Sequence, residues 1–216
     1  MFRWDRHRDG LVFGLCGLLA VGIACGENPA EPDEGSSGNL TSCLARANFV
    51  DPRQSPYVLP YPVGQTYRVY QTYCGSDNHG SDNQLAYDFE MPLESPVLAA
   101  RAGVVMQVSD GHEDSDRYDS VFNFVFIRHD DATVAFYAHL RQHSVTVQVN
   151  ERVEAGQQIA RLGHLGNPIA DLLHFGVYPR WPVGGEDTAV NFRNAEGPLD
   201  ARGGLQQGAS YLALPY

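Results

Sequence analysis

Lysine is absent from this chain: all 15 basic residues are arginine. Chemistry that needs a lysine amine is therefore excluded, including Schiff-base formation and the carrying of a lipoyl or biotinyl group. Basic residues are also too few and too scattered, against 26 acidic ones and a net charge of -11, to build the concentrated patch that phosphate backbones require. Nucleic acid is not an expected partner. Cysteine is scarce, with four in 216 residues, and no Cys-x-x-Cys spacing occurs, which rules out a cysteine-based zinc ribbon. The apolar run Leu11 to Ala24 is shorter than the roughly 20 apolar residues of a spanning helix. No long stretch shows helical periodicity.

What is present divides the chain into three parts. Arg3, Arg6 and Arg8 precede the apolar run, which reads as an export signal over residues 1–24. Val-Gly-Ile-Ala-Cys25-Gly resembles a bacterial lipoprotein signal, in which the cysteine is acylated and becomes the new amino terminus; Gly22 stands where such signals usually carry Leu. An acyl group on Cys25 would hold the protein at a membrane surface without a spanning segment. Residues 25–39 are acidic and rich in Gly, Pro and Ser, as in an extended tether. Order is expected from Leu40, giving one domain over 40–216. The 43% hydrophobic content, with 11 Tyr and 10 Phe, suffices for one core.

Within that domain, short β-rich runs are broken by Gly, Pro, Asn and Asp, which predicts an all-β fold of antiparallel strands in a sandwich or barrel. The expected strands are 66–73, 85–89, 103–108, 122–128, 133–139, 158–162 and 172–177. Asp130-Asp131 should turn one hairpin. The acidic stretch Asp110–Asp119 reads as a surface loop; the spacing, central Gly and terminal Glu of an EF-hand are missing. Cys16 falls in the leader and Cys25 at the acylation position, so Cys43 and Cys74 remain as the pair for a disulfide in an oxidising compartment; two separate buried thiols are the alternative.

Three histidine-bearing segments carry the chemistry. Asp88 lies in Leu85-Ala-Tyr-Asp-Phe, where alternation sets Tyr87 and Phe89 on one face and Ala86 and Asp88 on the other. A carboxylate among such neighbours needs a partner or a metal, because burying it bare is costly. His174 sits in the hydrophobic run Leu172-Leu-His-Phe-Gly-Val, and His139 in Phe136-Tyr-Ala-His-Leu. With His79, in a Gly/Ser/Asp/Asn loop, His79, Asp88 and His174 can make a three-ligand zinc site with one position left for water, the catalytic rather than the structural arrangement.

The order of these segments, with the sequence between Tyr67 and Val177, resembles the lysostaphin-like or LytM-type zinc metalloendopeptidases. The resemblance implies the duplicated hybrid motif fold over a core of about 67–178, Zn2+ as cofactor on His79, Asp88 and His174, and cleavage of the peptide cross-links of peptidoglycan. It implies a role for His139 in stabilising the negative charge that develops at the attacked carbonyl. Eight residues separate His79 from Asp88 where the usual motif has three, which makes Asp82 a rival ligand. The family ends its site with His-x-His, the first acting as general base, and here that position is Leu172. A positioned base contributes about 10²- to 10⁴-fold to rate. Leucine cannot serve, so His139, with His164 or a carboxylate, is needed to cover, or the domain is a noncatalytic module that keeps the metal for structure and binds cell wall or regulates a hydrolase. His112, His129 and His143 match no family position. The implied location is the cell envelope, with a lipid anchor on Cys25 in the membrane.

The cysteine reading predicts that the exported protein, denatured and treated with an alkylating reagent, gives no label on Cys43 or Cys74 until it is reduced. Label on both without reduction removes the bridge.

Overall fold

A computed structural model describes residues 34–75, 84–113, 122–164, 171–183 and 186–216. The expected leader, Cys25 and residues 25–33 of the expected tether lie outside them. Helix α1, Glu34–Arg46, opens the unit Glu34–Tyr216. It overlaps the stretch read as a tether and starts before the expected first ordered residue, Leu40. Its sequence EGSSGNLTSCLAR carries little intrinsic helix propensity, so its stability comes from tertiary contacts. Cys43 is buried and joined to Cys74 by a disulfide. Arg46 donates to the Gln84 side chain at 2.8 Å and stands 3.5 Å from the buried carboxylate of Asp187, which accepts the Leu85 amide at 2.7 Å.

The strands are β1 (Thr66–Gln71), β2 (Tyr87–Glu90), β3 (Pro96–Leu98), β4 (Gly103–Ser109), β5 (Asn123–Arg128), β6 (Val134–Leu140), β7 (Arg152–Val153), β8 (Gln158–Arg161), β9 (Leu172–Tyr178), β10 (Ala195–Glu196) and β11 (Ser210–Ala213). Among the described residues, nine strands form one sheet in the order β10-β11-β1-β2-β9-β6-β5-β4-β7, and β3 pairs with β8 as a separate ribbon. Every pairing is antiparallel, so the fold is mostly antiparallel β. The expected strands are found with ends displaced by a few residues. The run from Thr66 stops at Gln71 because the chain turns through Tyr73 and Cys74, the latter at φ 55°. Strands β3 and β7 are too short to show alternation and were not anticipated, and β10 and β11 lie in the carboxy-terminal stretch, where no individual strand was expected. The expected hairpin turn joins β5 to β6, and there Asp131 accepts from the backbone and hydroxyl of Thr133 at 3.1 and 2.6 Å.

Alternation divides the large sheet into two chemically different faces. One face supplies Tyr87, Phe89, Tyr137, Phe175 and Val177 to the main core, closed by Val97 and Ile159 of the ribbon and by Leu59 and Phe192. Its buried tyrosines keep their hydroxyls bonded: Tyr61 donates to the Tyr211 carbonyl at 2.8 Å, and the Tyr137 hydroxyl accepts the Ala100 amide at 2.8 Å. The opposite face carries a smaller cluster of Phe126, Phe136, Ala138 and Tyr178, with Phe122, Phe124 and Trp181 packed against it.

His129, after β5, is 3% exposed, donates from Nδ1 to the Ala102 carbonyl at 2.9 Å and meets Tyr57 edge-on at 5.4 Å. Burial pushes its pKa down to about 4, below the roughly 6.5 of a free imidazole. The unfolded chain therefore takes up this proton first as pH falls. Stability from neutral His129 is fully present above pH ~6.5 and drains away toward pH ~4, by about 2 kcal/mol between pH 7 and pH 5. Urea unfolding at the two pH values should show that loss, and His129→Leu should reduce it.

Candidate metal centre

Asp88 and His174 are far apart in the chain but directly opposite in register on β2 and β9. Both are buried, at 7% and 5% exposure. Their facing atoms, Asp88 Oδ1 and His174 Nδ1, are 2.9 Å apart, with the imidazole N–H donating to the carboxylate. Neither side chain is isolated in the apolar sheet, which satisfies the requirement that buried charge be paired.

The pair suits a metal as well as a proton. Ligand oxygen and nitrogen atoms about 2.0–2.1 Å from a tetrahedral zinc lie about 3.3 Å from each other. Asp88 and His174 reach that separation by opening a few tenths of an ångström. Nδ1 and Oδ1, both of which bind zinc elsewhere, are the atoms already turned toward each other. Among the described residues no three His, Cys, Asp or Glu side chains converge on one point. The remaining sequence candidates, His79 and Asp82, lie outside the described residues. The described segments on either side, ending at Gly75 and resuming at Gln84, are joined by the Cys74 amide donating to the Gln84 carbonyl at 2.7 Å.

His139 comes from the neighbouring strand, β6. Ala138 is the register partner of His174, and the β5–β6 pairing shifts at this point so that His139 is the extra residue of a bulge. Its φ of 67° lies in the left-handed region, a strained setting for a residue with a Cβ. A bulge re-aims a side chain that regular alternation would send elsewhere. The His139 and His174 rings are 6.1 Å apart, centre to centre. Phe122 meets His139 edge-on at 5.3 Å, and Phe136 meets His174 at 5.6 Å. This aromatic surround went unremarked in the sequence, although Phe122-Asn-Phe-Val-Phe puts Phe122, Phe124 and Phe126 on one face.

Leu172 shares the His174 face one pleat further along β9 and is 6% exposed; its register partner is Glu90. His164 is paired with Asp171. Its Nδ1 bonds Asp171 Oδ1 at 2.7 Å, and Asp171 lies opposite Met91 on the core-facing side of the alternation. The pair ties residue 164 to residue 171. Gly163, whose amide donates to the His139 carbonyl at 2.9 Å, lets this segment lie against β6: a Cβ there would come within 2.8 Å of the Arg141 backbone. Exposed His143 lines a cleft of about 800 Å³ with Glu94, Glu113, Arg141 and Arg161, which Asp88, His139 and His174 do not line. His112 is bound through its backbone to the Asn123 side chain.

Comparison with known proteins follows the same segments. The model of peptidase family M23 matches residues 82–191, half of the chain, a span that includes Asp88, His139, Leu172 and His174. The peptidoglycan DD-endopeptidase ShyC of Vibrio cholerae is 33% identical over 88 residues, covering 41% of this chain and 18% of that protein. The match thus spans less than a fifth of that relative's length. Among solved structures, the catalytic domain of the prophage-encoded M23 protein EnpA from Enterococcus faecalis is 19% identical, over 60% of this chain and 92% of that one, with a TM-score of 0.46. A zinc-containing peptidase from Vibrio cholerae is 25% identical, over 57% and 37%, with a TM-score of 0.42. Lysostaphin from Staphylococcus simulans is 24% identical, over 52% and 42%, with a TM-score of 0.40.

Proposed function

This chain belongs to peptidase family M23, and from that premise we propose that it is a zinc-dependent endopeptidase of the cell envelope that cuts the peptide cross-links of peptidoglycan. The observation that carries the reading is the buried Asp88–His174 pair at 2.9 Å with the His139 ring beside it. His79, Asp88 and His174 would hold the metal, and Cys25 would carry the lipid that keeps the domain at the membrane. A leader over 1–24 and a tether ahead of the β domain complete the organisation.

Bound zinc supplies a water of lowered pKa and polarisation of the scissile carbonyl. The protein's own groups do the rest. Asp88 and His174, locked by strand register, present two donor atoms that need no rearrangement beyond slight opening. His139, held out of the sheet by the bulge, donates a hydrogen bond to the oxyanion as the carbonyl becomes tetrahedral. Phe122 and Phe136 wall the imidazoles and lower the local polarity, which strengthens that hydrogen bond. Leu172 occupies the position where the family has its general base, so turnover falls below that of relatives with histidine there.

His174→Ala is expected to lose bound zinc while remaining folded; full zinc content by elemental analysis would remove the site. Zinc-loaded protein should release soluble fragments from purified peptidoglycan. His139→Ala should lower that release by about 10²- to 10³-fold, and Leu172→His should raise it. Release from neither the parent nor Leu172→His, with zinc bound, would reject the peptidase reading in favour of a wall-binding or regulatory module. Cys25→Ser should move the protein from the membrane fraction to the soluble one, and an unchanged distribution would reject the anchor.

A further inference from the structure

The structure places a carboxylate beside the vacant base position. Across β1, β2 and β9, Arg68, Glu90 and Leu172 stand in one register row, next to the row that holds Asp88 and His174. Glu90 and Asp88 are two residues apart on one strand, so both project from the same face as Leu172 and His174. Residues directly opposite in an antiparallel pair have Cβ atoms roughly 4.5–5.5 Å apart, and the next residue on the same face lies about 7 Å along the strand. Glu90 thus rises from the sheet beside Leu172, one pleat from Asp88. Its side chain is 37% exposed and open to solvent water.

Glu90 is also held in place. Arg68 contacts Oε2 twice, from Nε and from Nη2, each at 2.6 Å. Both contacts fall on one oxygen, and Oε1 has no hydrogen-bond partner among the described residues. A glutamate is the general base of the His-Glu-x-x-His zinc peptidases, so the chemistry is within the reach of this side chain. Resting on the proposed peptidase function, we infer that Glu90 is the general base of this site, taking the part left open by Leu172, and that Arg68 is its positioning residue. As the water oxygen bonds to the scissile carbonyl carbon, one water proton passes to Glu90 Oε1. Glu90 then delivers that proton to the amide nitrogen as the C–N bond breaks. The products are one carboxyl group and one amine, and Glu90 returns to its starting state.

The test uses the zinc-loaded chain and its variants Glu90→Gln, Arg68→Ala, Leu172→His and Glu90→Gln/Leu172→His. Fragment release from peptidoglycan, zinc stoichiometry and thermal melting are read for each. Glu90→Gln should lower kcat by about 100-fold or more, with KM, zinc content and melting unchanged. Arg68→Ala should lower kcat less than tenfold, and Leu172→His should restore turnover to Glu90→Gln. Parent-like turnover by Glu90→Gln overturns the assignment. So do equal losses in Glu90→Gln and Arg68→Ala accompanied by lowered melting, which would make the ion pair structural. An inactive parent with an active Leu172→His also overturns it, while leaving the proposed function standing. Inactivity of both with zinc bound removes the proposed function and this inference together.

Discussion

The register of β9 between β2 and β6 is the constraint on which the rest of this protein depends. Side chains alternate along a strand with a period of two, so a slip of one residue would carry His174 into the core and expose Phe175 in its place. The apolar residues oppose that slip. Leu173, Phe175 and Val177 all face the main core, interleaved with Phe89 and Tyr137. Burying those rings is what brings Asp88 and His174 to 2.9 Å. Core packing and site geometry are in this sense one arrangement seen from two sides of a sheet.

A second constraint surrounds the first. Segments that adjoin the site are fastened by contacts remote in sequence. α1 is joined to the turn after β1 by the Cys43–Cys74 bridge, and its Arg46 reaches Gln84 and Asp187. Asp187 in turn holds the Leu85 amide just before β2. On the other flank, Gly163 is bonded to the His139 carbonyl, and His164 is bonded to Asp171 at the entry to β9. These polar contacts keep the entries to β2 and β9 from fraying where short strands would otherwise be weakest. The buried members are partnered, which spares the desolvation cost of isolated charge.

Much of the site could be read along the chain. The alternation around Asp88, the hydrophobic setting of His174 and the Tyr-Ala-His139 segment identify the polar residues that a β face would carry. The paired cysteines were legible by elimination. Less accessible were features that depend on partners distant in sequence. The bulge that turns His139 outward leaves no trace in the run Phe136-Tyr-Ala-His-Leu, because it arises where Asn123 and Phe124 pair with Leu140 and Ala138. Helix α1 was missed because its Gly- and Ser-rich sequence favours no helix until Cys43 and Arg46 find their partners. Glu90 drew no reading from the sequence, since nothing within its own segment shows that Leu172 stands opposite.

By itself, then, the sequence determined the composition of each face, the residue types able to bind a metal, and the functions excluded by the absence of lysine. A local pattern suffices for these, because the pleat sends neighbouring residues to opposite sides whatever strand lies alongside. The tertiary structure decided which strands are neighbours, how they are offset and where a bulge interrupts them. Those choices set Asp88 against His174, Glu90 against Leu172, and His139 out of its alternation. They follow from packing the whole core at once: the energy of a register is shared among residues from every strand, and no single segment contains it.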